Sequence, residues 1–266
     1  MKKTPKPRDT ARRLKETIHK QPTVFAVYVA LRLIVLAELV MSIIRGEYES
    51  AFICLLVLAL FILPFFIQQN FGIQLPSVLE IIILLFIFAA EILGELECYF
   101  ITYPNWDSML HTTTGFLCAA TGFALIDILN RNSRIKFQLS PVYVALAAFC
   151  FSMTIGVLWE FFEFGMDFFL GTDMQKDTVI HAIHSVSLDP TLSNKVVTIP
   201  DIQDVVINGE SLGLGGYLDI GIIDTMKDLF VNFIGAVVFS LSGFFFARSK
   251  GRRKSAAQGF VPSKKT

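Results

Sequence analysis

The stretch WDSMLH, from Trp106 to His111, places Asp107 and His111 four residues apart. Four residues make about one helical turn, so the two side chains stand one above the other on a single face. A carboxylate beside an imidazole is a pairing that binds a divalent cation or relays a proton. The same spacing recurs along the chain. WEFFEFGMD offers Glu160, Glu163 and Asp167, DTMKDLFVN offers Asp224, Asp228 and Asn232, and AEILGE offers Glu91 and Glu95. At about 100° per residue each set falls within one narrow sector of a helix.

These groups sit in very apolar surroundings. Of 266 residues 53% are hydrophobic, 26 are Phe, and charged residues make up only 17%, against about 25% in an ordinary soluble domain. The mean hydropathy is +0.59, which identifies a membrane protein. A bilayer-spanning helix needs about 20 mainly apolar residues, and six segments qualify: 23 to 44, 50 to 69, 76 to 98, 107 to 129, 141 to 166 and 224 to 247. Pro22, Pro76 and Pro141 mark three starts, where a missing N–H costs little. Pro64 lies inside the second segment and predicts a kink there. The first segment is too long for the apolar region of a cleaved leader and is expected to stay as an anchor.

The formal net charge of zero hides a segregation, because 18 of the 23 Lys and Arg fall in three places: residues 1 to 22, the stretch from Asn130 to Ser140, and the tail after Ala247. Cytoplasmic loops are enriched in such residues, and an even number of spans puts all three on one side. The expected fold is therefore an all-α membrane protein: a six-transmembrane-helix bundle with both termini cytoplasmic, multi-pass in a bacterial cytoplasmic membrane. On this scheme residues 1–22 form a basic segment, 23–247 the transmembrane domain and 248–266 a basic tail. Flanking charges of this kind set topology or touch anionic lipid, so no nucleic acid partner is expected.

The one long connection, 167–223, falls outside on this topology. Between Thr172 and Ile223 it carries seven acids against two lysines. DVVINGESLGL holds Asn208-Gly209 between apolar runs, a strong hairpin signal, and KVVTI is a second β-branched run, so a small, partly β outer loop is expected. His181 and His184 in HAIHS are read as ordinary loop histidines rather than a metal pair. All four cysteines read as small hydrophobes, with no disulfide framework. No internal repeat emerges.

The spans assign a depth to each candidate. Asp107 starts span four at the outer face with His111 a turn deeper, Glu160 to Asp167 climb outward on span five, Asp224 to Asn232 descend on span six, and Glu91 and Glu95 end span three. A charge near the bilayer centre costs about 2.5 to 3.5 kcal/mol even on lenient scales, so these groups are expected to face inward and share a counter-charge. One His among several carboxylates suits Mg, Mn or Zn. Asp107, His111, Asp224 and Asp228 are the candidate metal ligands. Glu160, Glu163 and His111 are the candidate catalytic groups, with Glu91, Glu95, Asp167, Asn232 and Arg32 in support, Arg32 as an internal counter-ion. The leading expectation is a metal-dependent hydrolase or transferase on a lipid-linked or envelope substrate. A proton- or cation-coupled transporter and a non-catalytic membrane partner are the alternatives.

WDSMLH, WEFFEF and DTMKDLFVNFIG, in this order, resemble the signature of the YjdF-like bacterial inner-membrane proteins, over most of the chain from span three to span six. More distantly, Asp107 with His111, and Asp228 with Asn232 and Gly235, are similar to the VanZ-like membrane proteins linked to glycopeptide tolerance. The first resemblance implies membership and a shared polar site, without a reaction.

Overall fold

A computed structural model describes residues 22–70, 73–130, 139–249 and 263–264. Nearly all of the three basic segments lies outside the described residues. Apolar sequence and proline punctuation produce six helical stretches long and apolar enough to cross a membrane. The first is α1 (Pro22–Arg45). The second breaks into α2 (Tyr48–Leu60) and α3 (Leu63–Asn70), because Pro64 lacks an N–H to continue the ladder. The third starts as α4 (Ser77–Ile87) and widens into a π-helix over Phe88–Leu96. After the short α5 (Tyr99–Thr102) come α6 (Trp106–Asn130), α7 (Pro141–Leu170) and α8 (Ile222–Arg248). The 30 residues of α7 extend for about 45 Å. That exceeds a hydrocarbon core of about 30 Å, so α7 is longer than a single crossing needs.

Strands are short. β1 (Ile73–Gln74) pairs with β8 (Ser263–Lys264), and the other six lie between α7 and α8. There β2 (Val179–Ile180) pairs with β7 (Tyr217–Leu218), β3 (Ile183–Ser185) with β4 (Val197–Ile199), and β5 (Val206–Ile207) with β6 (Glu210–Ser211), all antiparallel. The last pair is the expected Asn-Gly hairpin: Asn208 and Gly209 have φ of 54° and 91°, the positive values that a tight primed turn demands. The KVVTI run supplies β4.

The chain divides into two compact units, Met1–Met153 with Val231–Thr266, and Thr154–Phe230. The first unit has two main apolar clusters. One joins Leu31 and Val35 of α1, Cys54 and Val57 of α2, Phe61, Leu84 and Ile87 of α4, and Ile92 of the π-helix. The other joins Ala119, Ala120 and Phe123 of α6, Val144 and Ala148 of α7, and Ala236 and Phe239 of α8. In this second cluster the backbones of α6 and α8 touch. A methyl group added to Gly115 would overlap the Asn232 carbonyl, and one added to Gly235 the Thr112 carbonyl. Further along, Phe116 and Phe123 both meet Phe239, and Phe123 also meets Phe246. The helices cross at the two glycines, and from Gly115–Asn232 to Phe123–Phe246 the contacts advance along both, so α6 and α8 run in the same direction here.

The second unit is organised by carboxylates that clasp backbone amides. Asp189 accepts from the N–H groups of Thr191, Ser193 and Lys195 and from both hydroxyls between them. These bonds, the Thr191 hydroxyl first, hold its carboxyl well below the ordinary range. Asp177 is shifted the other way, by partial burial and then by the negative charges of Asp173, Asp219 and Asp167. The two shifts act oppositely on stability. Asp189 contributes fully above the ordinary carboxyl range, and the contribution is lost only as pH falls through its depressed value. Asp177 favours the fold below the ordinary range, and that contribution is lost as pH rises through its raised value. At pH 7, Asp189→Asn is therefore expected to speed tryptic cleavage after Lys195, and Asp177→Asn to slow chymotryptic cleavage after Tyr217, which pairs with Ile180 in the same loop. Digestion time courses read by mass spectrometry check both signs.

Candidate functional site

In the first unit, Asp107 lies in the first turn of α6, where the helix dipole favours a carboxylate. His111 follows one turn on, and its Nε2 lies 3.5 Å from Asp107 Oδ1. The imidazole is only 11% exposed and the carboxylate 24%. Aromatic contacts fix this helix start. The Trp106 indole N–H donates to the Ala89 carbonyl at 3.3 Å and its ring meets Tyr99 edge-on at 4.9 Å. Ala89 belongs to the π-helix, so α6 is pinned to the element that carries Glu91 and Glu95. Glu91 is half-buried and Glu95 exposed. With i→i+5 bonding an offset of four is nearly a full turn, which brings these two carboxylates closer to alignment than an α-helix would.

Asn232 of α8 is 1% exposed. Its Nδ2 points to the Met153 sulfur at 3.6 Å, and its Oδ1 has no hydrogen-bond partner among the described residues. Gly115 packs on the Asn232 backbone and Gly235 on Thr112, so Asn232 stands beside the turn of α6 from Thr112 to Gly115, the one that follows His111. Gly115 is one turn from His111 on the same face, so that face of α6 is the one that meets α8. Ser152 completes this packing, its hydroxyl donating to the Gly115 carbonyl at 2.7 Å.

Arg32 sits on α1 with its guanidinium 4.5 Å from the Tyr28 ring centre and a long 3.4 Å bond to the Leu58 carbonyl. Among the described residues no carboxylate lies within ion-pair distance of it, so its charge is met by an aromatic face and a carbonyl.

In the second unit, Glu160 and Glu163 of α7 and Asp228 of α8 are all buried, Asp228 to 1% exposure. The Trp159 indole, one turn before Glu163, donates to Glu163 Oε1 at 2.8 Å and fixes that carboxylate's orientation. Asp167 is engaged where the chain leaves α7. It accepts from the Thr172 hydroxyl and from the N–H groups of Met174 and Gln175 at 2.6 to 2.8 Å. Asp224 accepts from the Lys176 N–H at 3.0 Å and faces the Lys227 ammonium at 3.8 Å. Sequence reasoning missed Asp219, which accepts from the N–H groups of Thr178 and Ile223, each at 2.7 Å, and so caps α8 while closing the loop. The available signal was an Asp three residues before the helix start, a familiar capping type. His181 and His184 bond through Nδ1 to the Ile202 carbonyl and the Thr198 hydroxyl, the ordinary loop roles expected for them.

Each unit thus holds part of the expected set. The first carries an imidazole–carboxylate pair and a buried amide, and the second carries buried carboxylates, one of them oriented by an indole. Carboxylate and imidazole donors suit hard and borderline divalent cations.

A family model described as "Predicted membrane protein (DUF2238)" matches residues 27–249. No curated protein and no solved structure matches the chain. The chain belongs to this family of predicted membrane proteins, which is the YjdF-like family its motifs resemble.

Proposed function

We propose that this multi-pass membrane protein is a metal-dependent hydrolase or transferase of the bacterial cytoplasmic membrane, acting at the outer face on a lipid-linked or envelope substrate. The observation that carries the reading is the Asp107–His111 pair, 3.5 Å apart and mostly withdrawn from solvent at the start of a membrane helix. A pair built only to cap a helix has no need of the imidazole. The burial of Glu160, Glu163 and Asp228 adds support, since ionisable groups inside membrane segments are costly and tend to mark function. On this reading Asp107 and His111 hold the metal. Glu160 or Glu163 moves a proton to or from the reacting group, with Trp159 holding Glu163 in one orientation. A divalent cation in such a setting supplies Lewis acidity or an activated water.

Elemental analysis of protein purified in mild detergent tests this directly. The expected result is about one bound divalent ion per chain, lost in His111→Ala while the melting profile of the metal-free variant stays close to wild type. Wild-type protein without bound metal, and unable to take it up on addition of Mn²⁺, would overturn the proposal.

One observation favours a non-catalytic reading for two of the residues. The carboxylates of Asp167 and Asp224 bond loop amides, as structural clasps do. On that reading Asp224→Asn lowers thermal stability and leaves metal content unchanged.

A further inference from the structure

We infer that Asn232 is a direct oxygen ligand of the cation that His111 binds, an inference that rests on the function proposed above. Among the described residues its Oδ1 has no hydrogen-bond partner, and the side chain is 1% exposed. A buried amide oxygen left without a donor destabilises a fold, and an apolar residue of similar size would avoid that cost. The orientation of the amide is set by chemistry. Among the described residues its side chain has one hydrogen-bond contact, the Met153 thioether at 3.6 Å. Sulfur of this kind accepts hydrogen bonds and cannot donate them, so the NH₂ group faces Met153 and the oxygen faces away. The surrounding backbone is closed: the Asn232 carbonyl lies against Gly115, the Gly115 carbonyl takes the Ser152 hydroxyl, and Gly235 lies against Thr112. The amide is therefore held rigidly, one turn along α6 from His111 and against the helix face that His111 shares with Gly115. A neutral oxygen at that position satisfies itself by binding a positively charged group.

The ligand class follows from the donors. Amide and carboxylate oxygens with one imidazole and no thiolate describe a site for Mg²⁺ or Mn²⁺ more closely than one for Zn²⁺, whose sites favour nitrogen and sulfur. The oxygen of Asn232 thus tunes the site towards the harder ions.

The test uses the full chain in detergent, with Mn²⁺ as probe, followed by calorimetry and by the EPR signal of free Mn²⁺. Asn232→Leu is expected to weaken Mn²⁺ binding about tenfold or more, as loss of even an outer partner of a metal site does. The metal-free variant should melt at the same temperature as wild type or higher, because the unsatisfied amide is gone. Asn232→Asp keeps the shape and an oxygen, and should bind Mn²⁺ at least as tightly as wild type. Two results would overturn the inference. One is Asn232→Leu binding Mn²⁺ like wild type. The other is a folded Asn232→Asp that has lost Mn²⁺ together with Asn232→Leu. If wild type binds Mn²⁺, His111→Ala abolishes it and Asn232→Leu does not alter it, the Asn232 assignment fails while the proposed function stands. If wild type does not bind, both fail.

Discussion

Gly235→Leu is expected to leave almost no monodisperse protein after extraction from the membrane. A side chain at this position meets the Thr112 carbonyl and the Phe116 N–H, which are backbone and cannot rotate aside. The helices must separate, and Ala119, Ala236 and Phe239 lose their close packing. Overpacking a tight core costs about 1 to 3 kcal/mol, and more when backbone must move. Against a total stability of about 5 to 15 kcal/mol, about 3 kcal/mol or more removes a large share of the margin that keeps the protein folded through extraction. Gly115→Val, against the Asn232 carbonyl, should behave alike. Gly165 on α7 is the control, because a methyl group there meets nothing within 4 Å. Gly165→Ala should stabilise by about 0.5 to 1 kcal/mol through helix propensity. Size-exclusion profiles and melting curves decide the comparison, and a Gly235→Leu protein that melts like wild type would contradict the α6–α8 contact.

Arg32→Leu should produce the second large effect, with different signs in two assays. On the biological insertion scale Arg at mid-helix is unfavourable by about 2.5 to 3.5 kcal/mol and Leu favourable by about 0.3 to 0.6, a difference of about 3 to 4 kcal/mol. A glycosylation-tag assay on the segment 22–45 should therefore show markedly better insertion for the variant. In the whole protein the same change removes the Tyr28 contact and the long bond to Leu58. A cation–π contact is worth about 0.5 to 2 kcal/mol, so the folded protein should melt slightly lower. Equal insertion by the two segments would show that Arg32 reaches an interface and is not held at mid-depth.

The spans were legible because their cause is local. An apolar run of sufficient length must be helical in lipid, and prolines mark where three of them start, so each expected boundary falls within about four residues of the observed one. The Asn208-Gly209 hairpin and the Asp107–His111 pairing were legible for the same reason, since each depends on a spacing of a few residues. The π-helix at Phe88–Leu96 was not. Its apolar pattern suits α and π geometry alike, and what distinguishes them is a tertiary fit: the Phe100 ring fills the space beside Gly94, and the Trp106 indole takes up the Ala89 carbonyl. Asp219 and Asp189 were missed as clasps because their roles depend on the path of the loop, with the Thr178 N–H reaching Asp219 across 41 residues. Gly115 and Gly235 are two small residues in apolar runs until α6 and α8 are brought side by side. Arg32 was expected to neutralise acids, and an aromatic face serves its charge instead, a choice that no spacing in α1 announces.

The two main apolar clusters differ in the stretch of chain each requires. The buried residues of the first run from Leu31 to Ile92, with neighbours from Val27 to Leu96 packed on them, so it can assemble as soon as the first three spans have left the ribosome. The second takes Ala236 and Phe239 from the last helix, and until translation is nearly finished Ala119, Ala120 and Ala148 lack that cover. A ribosome stalled before α8 leaves a half-built protein whose small-residue surface is open to insertases and quality-control proteases.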